Sequence, residues 1–195
     1  MAYHHLAFAT HDMLATDLFY SQAMGFELEK VEIAKTPGGG HAKHFFYSTG
    51  GGGMIAFWEL HDPSLPSDFP TGLSEAAGLP AWVNHVAFEA GSVEGLEIAR
   101  KRWLETGYDV LEIDHGWCRS VYTTDPNRTL VEFCVTVEAF GPGDRQAARE
   151  ALTRDDLPFS PDPKIEIHRT GRERPIHEAD SAGSANSADS GNLAD

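Results

Sequence analysis

Apolar and polar side chains alternate along residues 3–10 and again along 82–90, the period-two pattern of a half-buried strand. After each stretch the apolar spacing becomes helical, through Leu14, Leu18, Phe19 and Met24, and then through Leu96, Ala99, Trp103 and Leu104. The spacing predicts helices over 13–24 and 93–106, with Asp12 and Ser92 as N-caps and Gly25 and Gly107 as C-caps. An aromatic residue follows each glycine, Phe26 or Tyr108, and then a strand ending Val-Glu-Ile or Leu-Glu-Ile. Two more strands are expected in each half, near 44–48 and 54–60, and near 119–124 and 129–137. The glycine run 50–53 and Asp125-Pro126-Asn127 read as the matching turns.

Each half is therefore strand–helix–strand–strand–strand, and each opens on nearly the same phrase, HLAF at 5–8 and HVAF at 85–88. This is an α+β chain of two βαβββ modules, expected to form a curved mixed sheet around a central cleft. The predicted division is a first module at 1–60, a linker or lid at 61–81, a second module at 82–140 and a tail at 141–195. The Pro-, Ser- and Gly-rich linker is longer than most connections, which suggests a binding lid, with Phe69 placed to close it. In the tail, 145–156 reads as a short surface helix. Residues 178–195 hold no core-forming pattern and are expected to be disordered. Deleting 141–195 is expected to leave the fold intact.

Composition narrows the functional classes. At 195 residues and 41% hydrophobic the chain can bury a core. A formal charge of -15 repels phosphate backbones, which argues against nucleic acid, and no basic patch suits a membrane. Two cysteines, Cys118 and Cys134, make no disulfide framework and fit a reducing compartment. With no signal-like start and no membrane-length run, the expectation is a soluble cytoplasmic protein.

Three phrases carry a resemblance: His5 in HLAF, His85 in NHVAF and Glu132 in DPNRTLVEF. Together, in order and at module spacing, they resemble the vicinal oxygen chelate superfamily, which includes glyoxalase I, bleomycin- and fosfomycin-resistance proteins and type I extradiol dioxygenases. Arg128 stands where the family's last phrase usually has glycine. The resemblance covers roughly residues 3–138 and implies metal ligands at His5, His85 and Glu132. Two imidazoles and one carboxylate on strands form a facial set with open positions, suited to Fe(II) or Mn(II). A glutamate among Leu130, Val131, Phe133 and Cys134 is costly to bury without a partner.

The fourth position separates the family's chemistries. Matching GGMIAFWEL to TLVEF by internal symmetry puts Ala56 opposite Glu132. Glu59, three residues on, falls on the other face of a regular strand and is the less favoured fourth ligand. Three ligands imply an extradiol-type ring-cleaving dioxygenase acting on a small catecholic substrate. The alternatives are a glyoxalase- or epimerase-type enzyme using Zn, Ni or Co with Glu59, and a metal-free binding protein of the resistance type. Candidate substrate contacts are Phe46, Phe57, Trp58 and Trp117. Tyr122 matches a substrate-contacting tyrosine of the extradiol members, and His115 lies near, though not in exact register with, a histidine that those members carry behind the metal ligands. Their acid–base histidine is replaced by Gly52 or Gly53, so His44, or His41, is the candidate substitute. The expected partner is a small aromatic or vicinal-oxygen ligand, and the resemblance adds homodimerisation.

Overall fold

A computed structural model describes residues 3–154 and 156–175. Strand β1 (His5–Thr10) leads into helix α1 (Met13–Asp17), which continues as a π-helical segment, Leu18–Ala23. Strands β2 (Glu27–Lys35), β3 (His41–Ser48) and β4 (Met54–His61) complete the first unit. The linker holds one short helix, α2 (Leu73–Ala76). The second unit repeats the order with β5 (His85–Glu89), α3 (Val93–Glu105), β6 (Val110–Asp114), β7 (Cys118–Thr124) and β8 (Leu130–Thr136). Helix α4 (Pro142–Ala151) and strand β9 (Lys164–His168) follow.

The helix ends form as the sequence dictates. The Asp12 carboxylate accepts from the Ala15 N–H at 2.8 Å, and the Ser92 hydroxyl accepts from the Gly95 N–H at 3.0 Å. Gly107 stops α3 at φ +85, a left-handed conformation that favours glycine, and the backbone of Glu173 passes over it where a Cβ would sit.

The two sheets run β1-β4-β3-β2 and β5-β8-β7-β6-β9. In each, β1 or β5 pairs parallel to the last strand of its unit and the other pairs are antiparallel. The helices cover one face of each sheet, and one core joins the units. Phe26 meets Phe88 edge-on at 5.0 Å, and Phe19 meets Tyr108 at 4.9 Å. Polar contacts tie the turn of the second unit to the first helix: Tyr20 donates to Asp125 at 3.0 Å and Asn127 to Thr16 at 3.1 Å. Arg128 holds φ +64, a left-handed conformation that ordinarily favours glycine.

Helix α4 overlaps the surface helix expected at 145–156. Strand β9 departs from the expected tail. It pairs antiparallel with β6, and beyond it Thr170 donates to Asp109 and to the Leu104 carbonyl. Lys-Ile-Glu-Ile-His alternates as a strand should, but both isoleucines stay more than half exposed, so no apolar run announced it. The deletion expected to be harmless would remove this strand. The disorder expected at 178–195 lies outside the described residues.

Candidate functional site

Strand register assigns each candidate on a strand to a face. In the first sheet, His5, Ala7 and Ala9 share a face with Met54, Ala56 and Trp58 of β4 and with His44 and Phe46 of β3. The other face carries Phe8, Phe45, Tyr47, Ile55 and Phe57, packed against Tyr20 and the core. Phe57, 1% exposed, is thus a core residue and does not reach the face of His5. Parity alone could have said so, because Ala56 precedes it.

Glu59 also points away from that face. It pairs across to Lys43, with Lys43 Nζ at 3.1 Å and His61 Nε2 at 3.0 Å, and β3–β4 register runs without a bulge. Burial opposes it, but these two partners hold the Glu59 carboxyl below its ordinary range. It is a satisfied carboxylate on the helix side of the sheet.

The second sheet places His85 beside Glu132, Nε2 to Oε2 at 3.2 Å. Glu132 is 5% exposed between Val131 and Phe133, whereas His85 is open to solvent. The other ring nitrogen of His85, Nδ1, lies 3.2 Å from the carbonyl of Trp82. A carbonyl only accepts, so Nδ1 donates to it. In the neutral imidazole, Nε2 then turns a lone pair toward a carboxylate oxygen. That arrangement requires a further proton or a cation between the two atoms. Cis ligands of an ion bound at about 2.1 Å stand about 3 Å apart, so the pair fits a divalent metal. The Trp82 carbonyl fixes the ring as the outer partner of a metal-bound histidine does.

Tyr122 and His115 complete this side. His115 Nε2 is 3.2 Å from the Tyr122 hydroxyl, and the rings of Tyr122 and His85 lie 6.2 Å apart. Burial, partly offset by the Ser120 hydroxyl and reinforced by Glu132, pushes the Tyr122 phenol well above its ordinary value, so it keeps its proton. A cavity of about 310 Å³ lies here, walled by Trp82, Leu111, Ile113 and Leu130 as well as His85, His115 and Tyr122. Trp82, Leu111 and Ile113 are not among the sequence candidates. Trp82 could have been found from its place three residues before His85.

The remaining candidates divide. His44 stacks on Trp58 at 3.7 Å and lies 6.2 Å from the His5 ring, with Phe46 beside both. Burial first, then the neighbouring His5, lowers its pKa, and its Nε2 has no hydrogen-bond partner. His41 stacks on His61 at the opposite end of β3 from the strand position facing His5. Gly52 holds φ +85 in the turn, and a Cβ on Gly53 would crowd the Tyr3 ring. Trp117 packs on Phe140 at a rim, and Phe69 lies on His11, at the far end of β1 from His5.

The candidate ligands do not all meet within one chain. His5 heads an edge strand of one sheet, while His85 and Glu132 lie in the other, and β1 and β5 are not hydrogen-bonded to each other. Among the described residues, the one group of three potential ligands within one ion's reach is Glu112, Glu166 and His168. There Glu112 is held by Arg100 at 2.7 Å and Arg119 at 2.8 Å, so guanidinium groups already neutralise it. That cluster ties α3, β7 and β9 together.

The profile of the Glyoxalase/Bleomycin resistance protein/Dioxygenase superfamily matches residues 2–133. Among solved structures, a glyoxylase/bleomycin resistance protein/dioxygenase domain from Frankia sp. EAN1pec aligns with TM-score 0.53 at 13% identity, covering 70% of this chain and 98% of that one. A structure described as SMU.1112c gives TM-score 0.51 at 21% identity, covering 69% and 98%. A fosfomycin resistance protein, FosX, from Listeria monocytogenes gives 0.48 at 19%, covering 74% and 98%. No curated protein matches the chain significantly.

Proposed function

Because the chain belongs to the glyoxalase/bleomycin resistance/dioxygenase superfamily, we propose that it is a metal-dependent vicinal oxygen chelate enzyme, an extradiol-type ring-cleaving dioxygenase. The superfamily typically binds a divalent metal and small-molecule substrates. The observation that carries the reading is the buried Glu132 carboxylate facing His85 Nε2, with the ring locked by the Trp82 carbonyl. Ala56 at the symmetry-matched position, and Glu59 on the opposite face, support three protein ligands rather than four.

The third ligand in this reading is His5 of a second copy. Around the heads of both edge strands, Tyr3 (48% exposed), Leu6 (37%), Trp82 (70%) and Val83 (37%) leave apolar surface uncovered. A two-fold pairing of chains that covered it would bring His5 of one copy to His85 and Glu132 of the other, and would make two sites.

When bound, Fe(II) or Mn(II) would chelate both oxygens of a vicinal diol and bring O₂ beside it. The chain's own residues do the rest. Trp82, Leu111 and Ile113 offer an apolar wall for the substrate ring and exclude water. Tyr122 keeps its proton and can donate to a substrate oxygen, and His115 at its hydroxyl relays that proton. In this reading His44, which shares the His5 face and has no hydrogen-bond partner at Nε2, would accept a diol proton.

The test is elemental analysis after anaerobic purification, followed by oxygen uptake with catechols. Iron or manganese near one per chain, with metal-dependent O₂ consumption, supports the reading. Stoichiometric metal without uptake by any catechol removes the dioxygenase assignment, and absence of metal removes the metalloenzyme. Co-purified His5→Ala and Glu132→Ala chains test the shared site, since a mixed dimer retains one intact set while either variant alone retains none.

A further inference from the structure

The tail brings positive charge to one place in an acidic chain. The whole sequence has 15 basic and 30 acidic residues, yet the stretch 164–174 holds Lys164, Arg169, Arg172 and Arg174 against Glu166 and Glu173. This stretch lies beyond residues 2–133, which the family profile matches, so its side chains are an addition to the shared fold.

Register says where Arg169 goes. On the Glu132 face, Tyr122 stands opposite Glu132, Leu111 opposite Tyr122 and Ile167 opposite Leu111. The neighbouring row runs from His85 to Leu130 and Thr124. Arg169 follows Ile167 by two residues, so it continues that face just past the end of β9. There it donates to Asp109 at 2.5 Å, and the Asp109 carboxylate also accepts from the Thr170 N–H at 2.8 Å. Arg174 comes back to the same place, with its guanidinium 4.7 Å over the Tyr108 ring. Among the described residues it has no carboxylate partner, whereas Arg169 has Asp109.

A cavity of about 340 Å³ joins these groups to the candidate site. Its walls include Leu111, Tyr122 and Leu130, which also wall the cavity beside His85, and it ends at Arg169 and Arg174. Two guanidinium groups and one carboxylate leave one net positive charge there. Asp109 is committed to Arg169, so the surplus sits on Arg174. We propose that this arm of the cavity takes a carboxylate borne by the aromatic ligand, held by Arg174 with Arg169 beside it. The inference rests on the proposed site, because the two cavities share their walls. It makes the substrate an aromatic acid rather than a neutral catechol, and it makes the tail a specificity element. A chain of charge -15 repels such a substrate, and the tail arginines offset that repulsion where the acid must enter.

Strand β9 stands three strands from β8, roughly 14 Å at about 4.8 Å per strand, so the probe carries its acid on a short chain. The experiment titrates 3-phenylpropionate and its uncharged amide into the full-length, metal-free protein with chelator present, by calorimetry at fixed ionic strength. Expected is an acid that binds about tenfold tighter than the amide, the worth of a charge-assisted hydrogen bond. Arg174→Gln brings the acid down to the amide and leaves the amide unchanged, while Arg174→Lys retains part of the gain. Arg172→Gln removes the same charge from a side chain that donates to the Glu105 carbonyl, away from the cavity, and changes neither ligand. No acid binding, acid and amide binding alike, or equal losses in the two Gln variants overturns the proposal. So does an Arg174→Gln variant that loses the amide as well, which makes Arg174 a prop of the fold, or inorganic phosphate that displaces the acid at equal concentration, which makes the place a general anion site. Metal content and O₂ uptake with catechol itself are read separately on the same protein. Both present without acid binding removes the carboxylate arm and leaves the dioxygenase, and acid binding without metal does the reverse.

Discussion

Glu132→Gln separates a metal ligand from a structural ion pair. The carboxylate is 5% exposed and meets one imidazole that is itself open to solvent. If His85 were a permanent imidazolium pairing with it, removing the charge would break a buried pair, at a cost of about 3 kcal/mol or more. If the two atoms instead wait for a cation, the metal-free variant loses a desolvated charge and keeps its shape, so its melting temperature holds or rises. The difference appears when metal is added. Mn(II) at about 100 times its Kd stabilises a folded chain by about 2.7 kcal/mol. For a protein of this size that raises the melting temperature by roughly 5–10 °C. Circular-dichroism melts with and without Mn(II), at fixed protein concentration, should give this shift for wild type and none for the variant. A metal-free variant that melts far lower, together with a wild type indifferent to Mn(II), would refute the reasoning.

Glu59→Gln should leave bound metal unchanged by elemental analysis, because that side chain faces Lys43 and the helix side of its sheet; loss of metal would return it to the ligand set. Asp125 is buried with its pKa raised from 3.8 to about 6, chiefly by burial, so the folded state holds its proton more tightly than the unfolded chain does. Stability from this group is therefore present below about pH 4 and lost as pH rises to about 6, by about 3 kcal/mol at most; urea midpoints at pH 4 and pH 7 should show that slope in wild type and not in Asp125→Asn. Ending the chain at residue 157 removes β9 and the Arg169 and Thr170 contacts to Asp109, and should cost about 1–3 kcal/mol in urea unfolding.

The sequence made the local architecture legible because the signals were local. Asp12 and Ser92 cap, Gly107 turns, and the alternation around Ala56 correctly sends Glu59 to the other face. His85 and Glu132 were legible for the same reason, since repeat register sets them on neighbouring strands. The separation of His5 was not. Internal repetition shows that one strand phrase is written twice, but not whether the two halves of one chain face each other, and that depends on packing such as Phe26 against Phe88. Strand β9 was hidden because its isoleucines stay exposed, so its order comes from the β6 edge and from Asp109 rather than from burial.

That added strand also sets what kind of assembly the sheets allow. An outer strand with free N–H and C=O groups is a template for another chain. Here β9 takes the β6 edge within the chain, while the nine-residue β2 keeps its outer edge open. With β9 in place, β6 offers no edge to β2 of another copy. A β2 edge that joined its own like in a second copy would form a pairing that closes after two chains. The tail segment thus hands the outer position from β6 to a five-residue strand carrying Lys164 and Glu166, the short, charged kind of edge that discourages pairing with another chain.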